Sequence, residues 1–229
     1  MDKSFGSGFG SKLSYGSGFF SLRTKLPDKD SAGVVTAFYL ISNSNSDHDE
    51  LDFEFLGNKE GKPYTLQTNV CANGKGNREQ RIRLWFDPTA DFHTYKILWN
   101  QHQVVCYVDI IPIRVFKNKR SIGVGYPSQA MKIEGSTWDG DSWATDGGQT
   151  KIDWSKAPFK SYFQGFNIDG CPSTQPVACY SSKYWWNSEK YWELDSTQER
   201  AYQGVKRNYM TYDYCSDSSR YPTPPVCPQ

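Results

Sequence analysis

The feature that most constrains the fold is a run of strictly alternating side chains at residues 48–56, HDELDFEFL. Successive side chains of a β-strand point to opposite faces of the sheet. One face of a strand here would carry polar and acidic groups: His48, Glu50, Asp52 and Glu54. The other face would carry apolar groups that belong in a core: Leu51, Phe53 and Phe55. The sequence therefore predicts a strand with one buried face and one acidic face.

Other runs rich in β-branched and aromatic residues predict further strands at 33–42, 64–71, 78–86, 93–100, 103–109 and 112–117. Turn signals such as Asn73-Gly74 and Asp87-Pro88 separate several of them. Short strands at this spacing, with few helical patterns, predict an all-β antiparallel sandwich. We expect a long ordered loop at 135–158, which contains three Trp, and a helix within 188–207 that Ser188 could cap.

Composition excludes several classes of function. The 229 residues suffice for one large domain, and the net charge of +1 comes from interspersed charges. We therefore expect neither nucleic-acid binding nor a polybasic membrane patch, and no apolar run reaches the roughly 18 residues of a membrane span. Aromatic residues make up 16% of the chain, which is more than a core needs. Some of these rings are therefore expected to line a surface groove.

The six cysteines lack the C-x2-C spacing of a zinc site. Local pairing of Cys171 with Cys179 and of Cys215 with Cys227 would close two short loops, which indicates an oxidising compartment. Cys71 and Cys106 lie in strand-like runs, and we interpret them as buried free thiols. No signal peptide precedes the Gly-rich start, so we expect upstream sequence to be missing.

The acidic face of residues 48–54 carries the candidate chemistry. Like charges side by side destabilise a strand, and no Lys or Arg lies between residues 30 and 58 to offset them. A solvated acidic face and a metal site that uses His48 are the alternatives. We favour glycoside cleavage, which needs two carboxyl groups flanking the scissile bond, roughly 5–5.5 Å apart in a retaining enzyme. Glu50 and Glu54 are about 13 Å apart along an ideal strand, so sheet curvature must close much of the gap, while Asp52 can share a proton between them.

The segment HDELDFEFLGN (48–58) resembles the signature of the plant xyloglucan endotransglucosylase/hydrolases of glycoside hydrolase family 16. The resemblance covers nearly the whole chain, in matching order. It continues through these motifs: PYTLQTNV (63–70), REQRIRLWFDPT (78–89), IPIRVFKN (111–118), DWSKAPF (153–159), FNIDGC (166–171) and YCSDSSRYPTPPVC (214–227). It implies an antiparallel β-jelly-roll sandwich with a concave substrate cleft at residues 1–165. A disulfide-stabilised C-terminal extension with a short helix is expected at 166–229, and strands that precede residue 4 in the family are expected to be missing.

Carried over by position, the resemblance implies that Glu50 is the nucleophile, Glu54 the acid/base and Asp52 a helper. It also implies a set of substrate-binding residues: His48, Gln67, Asn69, Arg81, Trp138, Trp143, Gly147 and Arg220. No metal or cofactor is expected.

The implied reaction is retaining cleavage of the β-1,4-glucan backbone of xyloglucan, through a covalent glycosyl-enzyme, followed by transfer to another xyloglucan chain, an oligosaccharide or water. The expected enzyme is a monomer, secreted into the plant cell wall, with no nucleic-acid or membrane partner. The alternatives are a hydrolase or hetero-transferase on mixed-linkage glucan or cellulose, and a truncated, inactive glucan-binding form.

Overall fold

This computed structural model describes residues 1–173, 176–221 and 227, and its dominant element is an antiparallel sheet of twelve strands. The strands are β1 (Ser7–Gly10), β2 (Tyr15–Lys25), β3 (Val34–Ser42), β4 (Glu50–Leu56), β5 (Thr65–Cys71), β6 (Gln80–Arg83), β7 (His93–Trp99), β8 (Gln103–Val108), β9 (Ile111–Lys117), β10 (Met131–Asp139), β11 (Tyr162–Pro172) and β12 (Met210–Asp213). The α-helix α1 spans Ser196–Asn208, and short 3-10 turns lie between the elements.

The sheet folds back on itself into two layers. One layer has the order β1-β10-β3-β4-β5-β6-β12, and the other has the order β11-β2-β7-β8-β9. A single pair, Met131 opposite Tyr15, joins β10 to β2 where the layers meet. The expected all-β antiparallel jelly-roll architecture is confirmed, with its one short helix near the C-terminus.

The core lies between the two layers, as the alternation of residues 48–56 predicts. Phe53 and Phe55 are fully buried and both pack edge-on against Tyr95 of β7, with ring centroids 5.8 and 4.5 Å apart. The buried Arg114 of β9 also links the layers, because it donates to the carbonyl oxygen of Thr68 on β5 at 2.8 Å. The apolar face of β4 is thus packed against the second layer, and its polar face points away from the core.

Three details differ from the sequence predictions. The expected loop at 135–158 begins as the strand β10, and β11 was not predicted at all. β11 pairs with β2 on both sides of residue 165, with a register shift between Gln164 and Asn167. The division of the chain at residue 165 stays a prediction. The helix begins at Ser196 and is capped by Asp195 rather than by Ser188.

Cysteines pair as local spacing predicts: Cys171 is bonded to Cys179, and Cys215 to Cys227. Cys71 and Cys106 are free and buried. Among the described residues, no helix is both long and apolar enough to cross a bilayer.

Candidate active site

The three acids of β4 share one open cleft on the outer face of the first layer. Glu50, Asp52 and Glu54 all line a cavity of about 630 Å³. β4 lies near the middle of its layer, with β3 on one side and β5 on the other, so the acids lie on the floor of the cleft. The predicted grouping of these three carboxyls on one face is therefore present.

Glu50 is paired with the His48 side chain, whose Nε2 lies 3.3 Å from a carboxylate oxygen. Burial raises the pKa of Glu50, while a hydrogen bond with Asp52 and the contact with His48 act in the opposite direction. These two partners favour the ionised carboxylate, which is the form that a nucleophile requires.

Asp52 lies between the two glutamates and is only 6% exposed. Burial, followed by the charges of Glu50 and Glu54, raises its pKa well above the ordinary value. No donor among the described residues reaches its buried Oδ1, so an ionised Asp52 would be left as an unpaired buried charge. The raised pKa favours the protonated form of Asp52, and in that form Asp52 can donate a hydrogen bond to Glu50.

Glu54 is held by a relay of polar side chains from neighbouring strands. Gln67 Nε2 donates to Glu54 Oε2 at 2.7 Å, and Arg81 Nε donates to Gln67 Oε1 at 2.7 Å. Burial raises the pKa of Glu54, partly opposed by the Gln67 hydrogen bond. A carboxyl with a raised pKa can carry a proton at near-neutral pH, as an acid/base group must.

The relay continues across the same face of the layer to Arg220. The Arg81 guanidinium lies over the ring of Tyr212, 5.5 Å from its centroid. Arg220 donates to the Tyr212 hydroxyl at 3.4 Å and forms a 2.8 Å ion pair with Glu79. Arg220 is therefore fixed at the β6–β12 end of the same face.

Asn69 lies directly opposite Asp52 and lines the cleft. Its Oδ1 accepts a hydrogen bond from the backbone N–H of Arg78 at 3.1 Å, which fixes the orientation of the amide.

Trp138 and Trp143 lie together at the β10 end of the layer, with ring centroids 6.0 Å apart and planes tilted by 37°. Trp138 belongs to β10, not to the loop in which the sequence placed it, and it lines the cleft. Trp143 lies in the loop that follows β10. Gly147 is exposed in the next turn with φ 66°, and open space surrounds it.

Several cleft residues were missed from the sequence. Tyr39, Ile41 and Ser136 line the cavity, together with the glycines Gly6 and Gly8. The run 33–42 is so apolar that it reads as a strand buried on both faces. The register places Tyr39 opposite Asp52, and only that pairing shows which alternate side chains face the cleft.

Comparisons with known proteins agree with this geometry. Residues 1–156 match the family model described as glycosyl hydrolases family 16, and residues 180–227 match the one described as xyloglucan endo-transglycosylase (XET) C-terminus. A putative xyloglucan endotransglucosylase/hydrolase protein 1 of Arabidopsis thaliana is 59% identical over 226 residues, which cover 98% of this chain and 76% of that protein. A probable xyloglucan endotransglucosylase/hydrolase protein of Nicotiana tabacum is 53% identical, with 99% and 79% covered.

Solved structures share the fold. The apo Crh5 transglycosylase superposes with a TM-score of 0.63 at 23% identity, covering 76% of this chain and 72% of that one. A Bacillus licheniformis β-glucanase superposes with a TM-score of 0.53 at 24% identity, covering 70% and 68%.

Proposed function

This chain belongs to the xyloglucan endotransglucosylase/hydrolases of glycosyl hydrolase family 16, and on that premise we propose that Glu50, Asp52 and Glu54 carry out retaining transfer of xyloglucan. The observation that carries the proposal is a row of three carboxyls that line one open cleft, with the buried Asp52 between the two glutamates. The reaction is cleavage of xyloglucan, release of one part of the chain, and transfer of the enzyme-bound part to a second xyloglucan or to water, which remodels the plant cell wall.

In the first step Glu54 protonates the leaving glycosidic oxygen while Glu50 attacks the anomeric carbon. The bond from the anomeric carbon to the leaving oxygen breaks, and a covalent bond to Glu50 forms. Before the attack, the proton on Asp52 keeps Glu50 ionised, because its hydrogen bond stabilises the carboxylate form. His48 supports the same form from the other side.

In the second step Glu54, now ionised, takes a proton from the incoming hydroxyl, which attacks the anomeric carbon and releases Glu50. Gln67 keeps the Glu54 carboxylate oriented in both steps through its 2.7 Å hydrogen bond. A bound acceptor chain competes with water because positioning raises its effective concentration by orders of magnitude.

The acceptor chain is proposed to lie on the β5–β6–β12 side of the acids. Arg81, Tyr212 and Arg220 form a continuous polar and aromatic surface there, anchored through Glu79. An extended surface of this kind favours transfer over hydrolysis, since it holds an acceptor next to Glu54. Trp138 and Trp143 supply aromatic faces for sugar rings at the opposite end.

We propose that the enzyme works outside the cell, as a monomer. Two disulfides support an oxidising compartment.

A transfer assay tests the proposal. The purified chain is incubated with xyloglucan and a fluorescent xyloglucan oligosaccharide, and incorporation of label into polymer is measured for wild type, Glu50→Ala and Glu193→Ala. The wild type and the Glu193→Ala control, whose carboxyl is exposed beside α1, should incorporate label, and Glu50→Ala should lose at least about 10²-fold in rate. Equal rates in wild type and Glu50→Ala would refute the assignment of the nucleophile.

A further inference from the structure

A fourth carboxylate lies on the same face of the sheet as the three acids of β4. Glu134 of β10 is directly opposite Tyr39 of β3, and Tyr39 is directly opposite Asp52. Side chains of directly opposed residues lie on the same face, about 5 Å apart at Cβ. A row therefore crosses the layer from Glu134 through Tyr39 to Asp52 and Asn69.

Tyr39 fixes one oxygen of this carboxylate. Its hydroxyl donates to Glu134 Oε2 at 2.8 Å, and both residues are half-buried. A carboxylate can accept several hydrogen bonds, so Oε1 keeps its capacity to accept. Among the described residues, no hydrogen bond to Oε1 is formed and no ion pair neutralises Glu134.

The strand beside Glu134 places no side chain next to it on the cleft side. On β1, Gly8 lies opposite Ser136 and Gly10 lies opposite Glu134, so the cleft side of β1 has no side chains at these positions. A Cβ placed at Gly10 would be 3.6 Å from Glu134 Cγ and 3.7 Å from its Oε1, which is ordinary contact distance. Glu134 itself does not line the 630 Å³ cavity, but its neighbours Tyr39, Gly8 and Ser136 do, so a ligand that extends past them would meet Glu134 beside the bare backbone of β1.

We propose that Glu134, oriented by Tyr39, is a substrate-binding and specificity-determining residue that accepts a hydrogen bond from a hydroxyl of the donor glucan. The proposal rests on the proposed function. β10 and β1 lie on the opposite side of β4 from Arg220, hence on the donor side if the acceptor lies along β5, β6 and β12. A hydroxyl that donates to a carboxylate forms a charge-assisted hydrogen bond, which is stronger than a hydrogen bond between two neutral groups.

Glu134 also acts on Glu50 through charge. Burial is the main cause of the raised pKa of Glu50, and the negative charge of Glu134 adds to it. Other titratable or charged groups on the same face as Glu50 come from its own strand region, from β3, from β5 and from β10: His48, Asp52, Glu54, Tyr39, Cys71 and Lys132. Removal of the Glu134 charge leaves these groups in place and lowers the pKa of Glu50.

The test compares Glu134→Gln with Tyr39→Phe, and with Glu193→Gln as the matched control that removes an exposed carboxylate beside α1. Kinetics are measured separately for the donor at saturating acceptor and for the acceptor at saturating donor. For Glu134→Gln we expect kcat/KM for the donor to fall about 10-fold and the acid limb of its pH profile to move to lower pH, with an unchanged acceptor KM. Tyr39→Phe should weaken donor binding by less, because Glu134 keeps its charge.

A steric variant separates binding from charge. Gly10→Val places a side chain over Glu134 at a position where a Cβ fits, so it should raise the donor KM and leave the acid limb where it is. Unchanged donor kinetics in Glu134→Gln would overturn the proposal, as would a loss shared equally by donor and acceptor that follows a lowered melting temperature. Failure of the proposed function is a distinct result, since the wild type itself would then transfer no label.

Discussion

Asp52 lies between the two glutamates that we propose as catalytic, and its hydrogen bond lowers the pKa of Glu50. Ionisation of the buried Asp52 would leave its Oδ1 without a partner, so burial favours the protonated form, which can stabilise the ionised form of Glu50 through a hydrogen bond. Glu54 lies beyond Asp52 and is raised in pKa by burial, so it is suited to hold the proton that the leaving group needs. The proposed roles of Glu50 as nucleophile and Glu54 as acid/base thus differ because their neighbouring residues differ.

The pH profile should report this proton directly. In Asp52→Ala the hydrogen bond that lowers the pKa of Glu50 is lost, so that pKa rises and the acid limb of kcat/KM moves to higher pH. Asp52→Asn is the matched variant, because its amide N–H can still donate to Glu50, and its acid limb should lie closer to that of the wild type. An acid limb that moves to lower pH in Asp52→Ala would contradict the proposed role of Asp52.

At the residue scale, the acids were predictable and several of their neighbours were not. Strict alternation around Glu50 and Glu54 shows which face is polar without any knowledge of pairing. Tyr39 and Glu134 lack such a signal, because Tyr39 lies in an apolar run and Glu134 falls outside every predicted strand, just before the predicted loop at 135–158. Their positions in the cleft depend on register, which long-range packing decides.

At the scale of the elements, the helix α1 closes the C-terminal extension against β9. Its buried side chains, Tyr202 and Val205, lie on one face. The first turn is fixed by a capping box, in which Asp195 accepts from the backbone N–H groups of Thr197 and Gln198, both at 2.8 Å. The sequence predicted a helix in this region, but the 3-10 turns before Asp195 have helix-like composition and hide the true start.

Removal of this cap should weaken the fold without altering the cleft. Asp195→Ala leaves two helix N–H groups unpaired and should lower the free energy of unfolding by about 1 kcal/mol, whereas Asp195→Asn retains an accepting oxygen and should cost much less. Denaturant unfolding measures the loss of stability. Transfer assays at low temperature, where the variants remain folded, test whether the cleft is unaltered. Equal stability of Asp195→Ala and wild type would show that the cap contributes nothing.

β10 shows why composition misleads at this scale. Its Gly135, Ser136 and Asp139 resemble a loop, yet it pairs with β3 along its whole length. Gly135 leaves room for packing rather than for a turn, because a Cβ there would lie 2.4 Å from the ring of Phe9, which would have to move.

At the scale of the whole molecule, one residue pair, Met131 with Tyr15, joins the two layers in the sheet, and the core packs between them. The C-terminal extension packs against the second layer. The bond between Cys171 and Cys179 joins the end of β11 to the turn that packs on β2. The class of fold and most strand positions could be predicted, since they follow from the alternation of apolar and polar residues and from the turn residues between strands. The order of strands could not, because the contact of β10 with β2 and the pairing of β11 join segments far apart in sequence.

Loss of that disulfide should be a global effect. It closes a loop with a sequence separation of 8, and the double variant Cys171→Ser/Cys179→Ser should lose about 2–3 kcal/mol of stability. Thermal unfolding of the double variant measures the size of the effect. Cys71→Ser is the control, because it replaces a free thiol and breaks no disulfide. A variant as stable as the wild type would show that the extension is held by packing alone.

The most direct test of the central claim is to trap the glycosyl-enzyme. The chain is incubated with a 2-deoxy-2-fluoro glucan donor that carries a good leaving group, and the modified peptide is identified by mass spectrometry. The account predicts one glycosyl adduct, on the carboxylate of Glu50. An adduct on Glu54, or turnover of the natural substrate with an inverted product and no adduct, would contradict it.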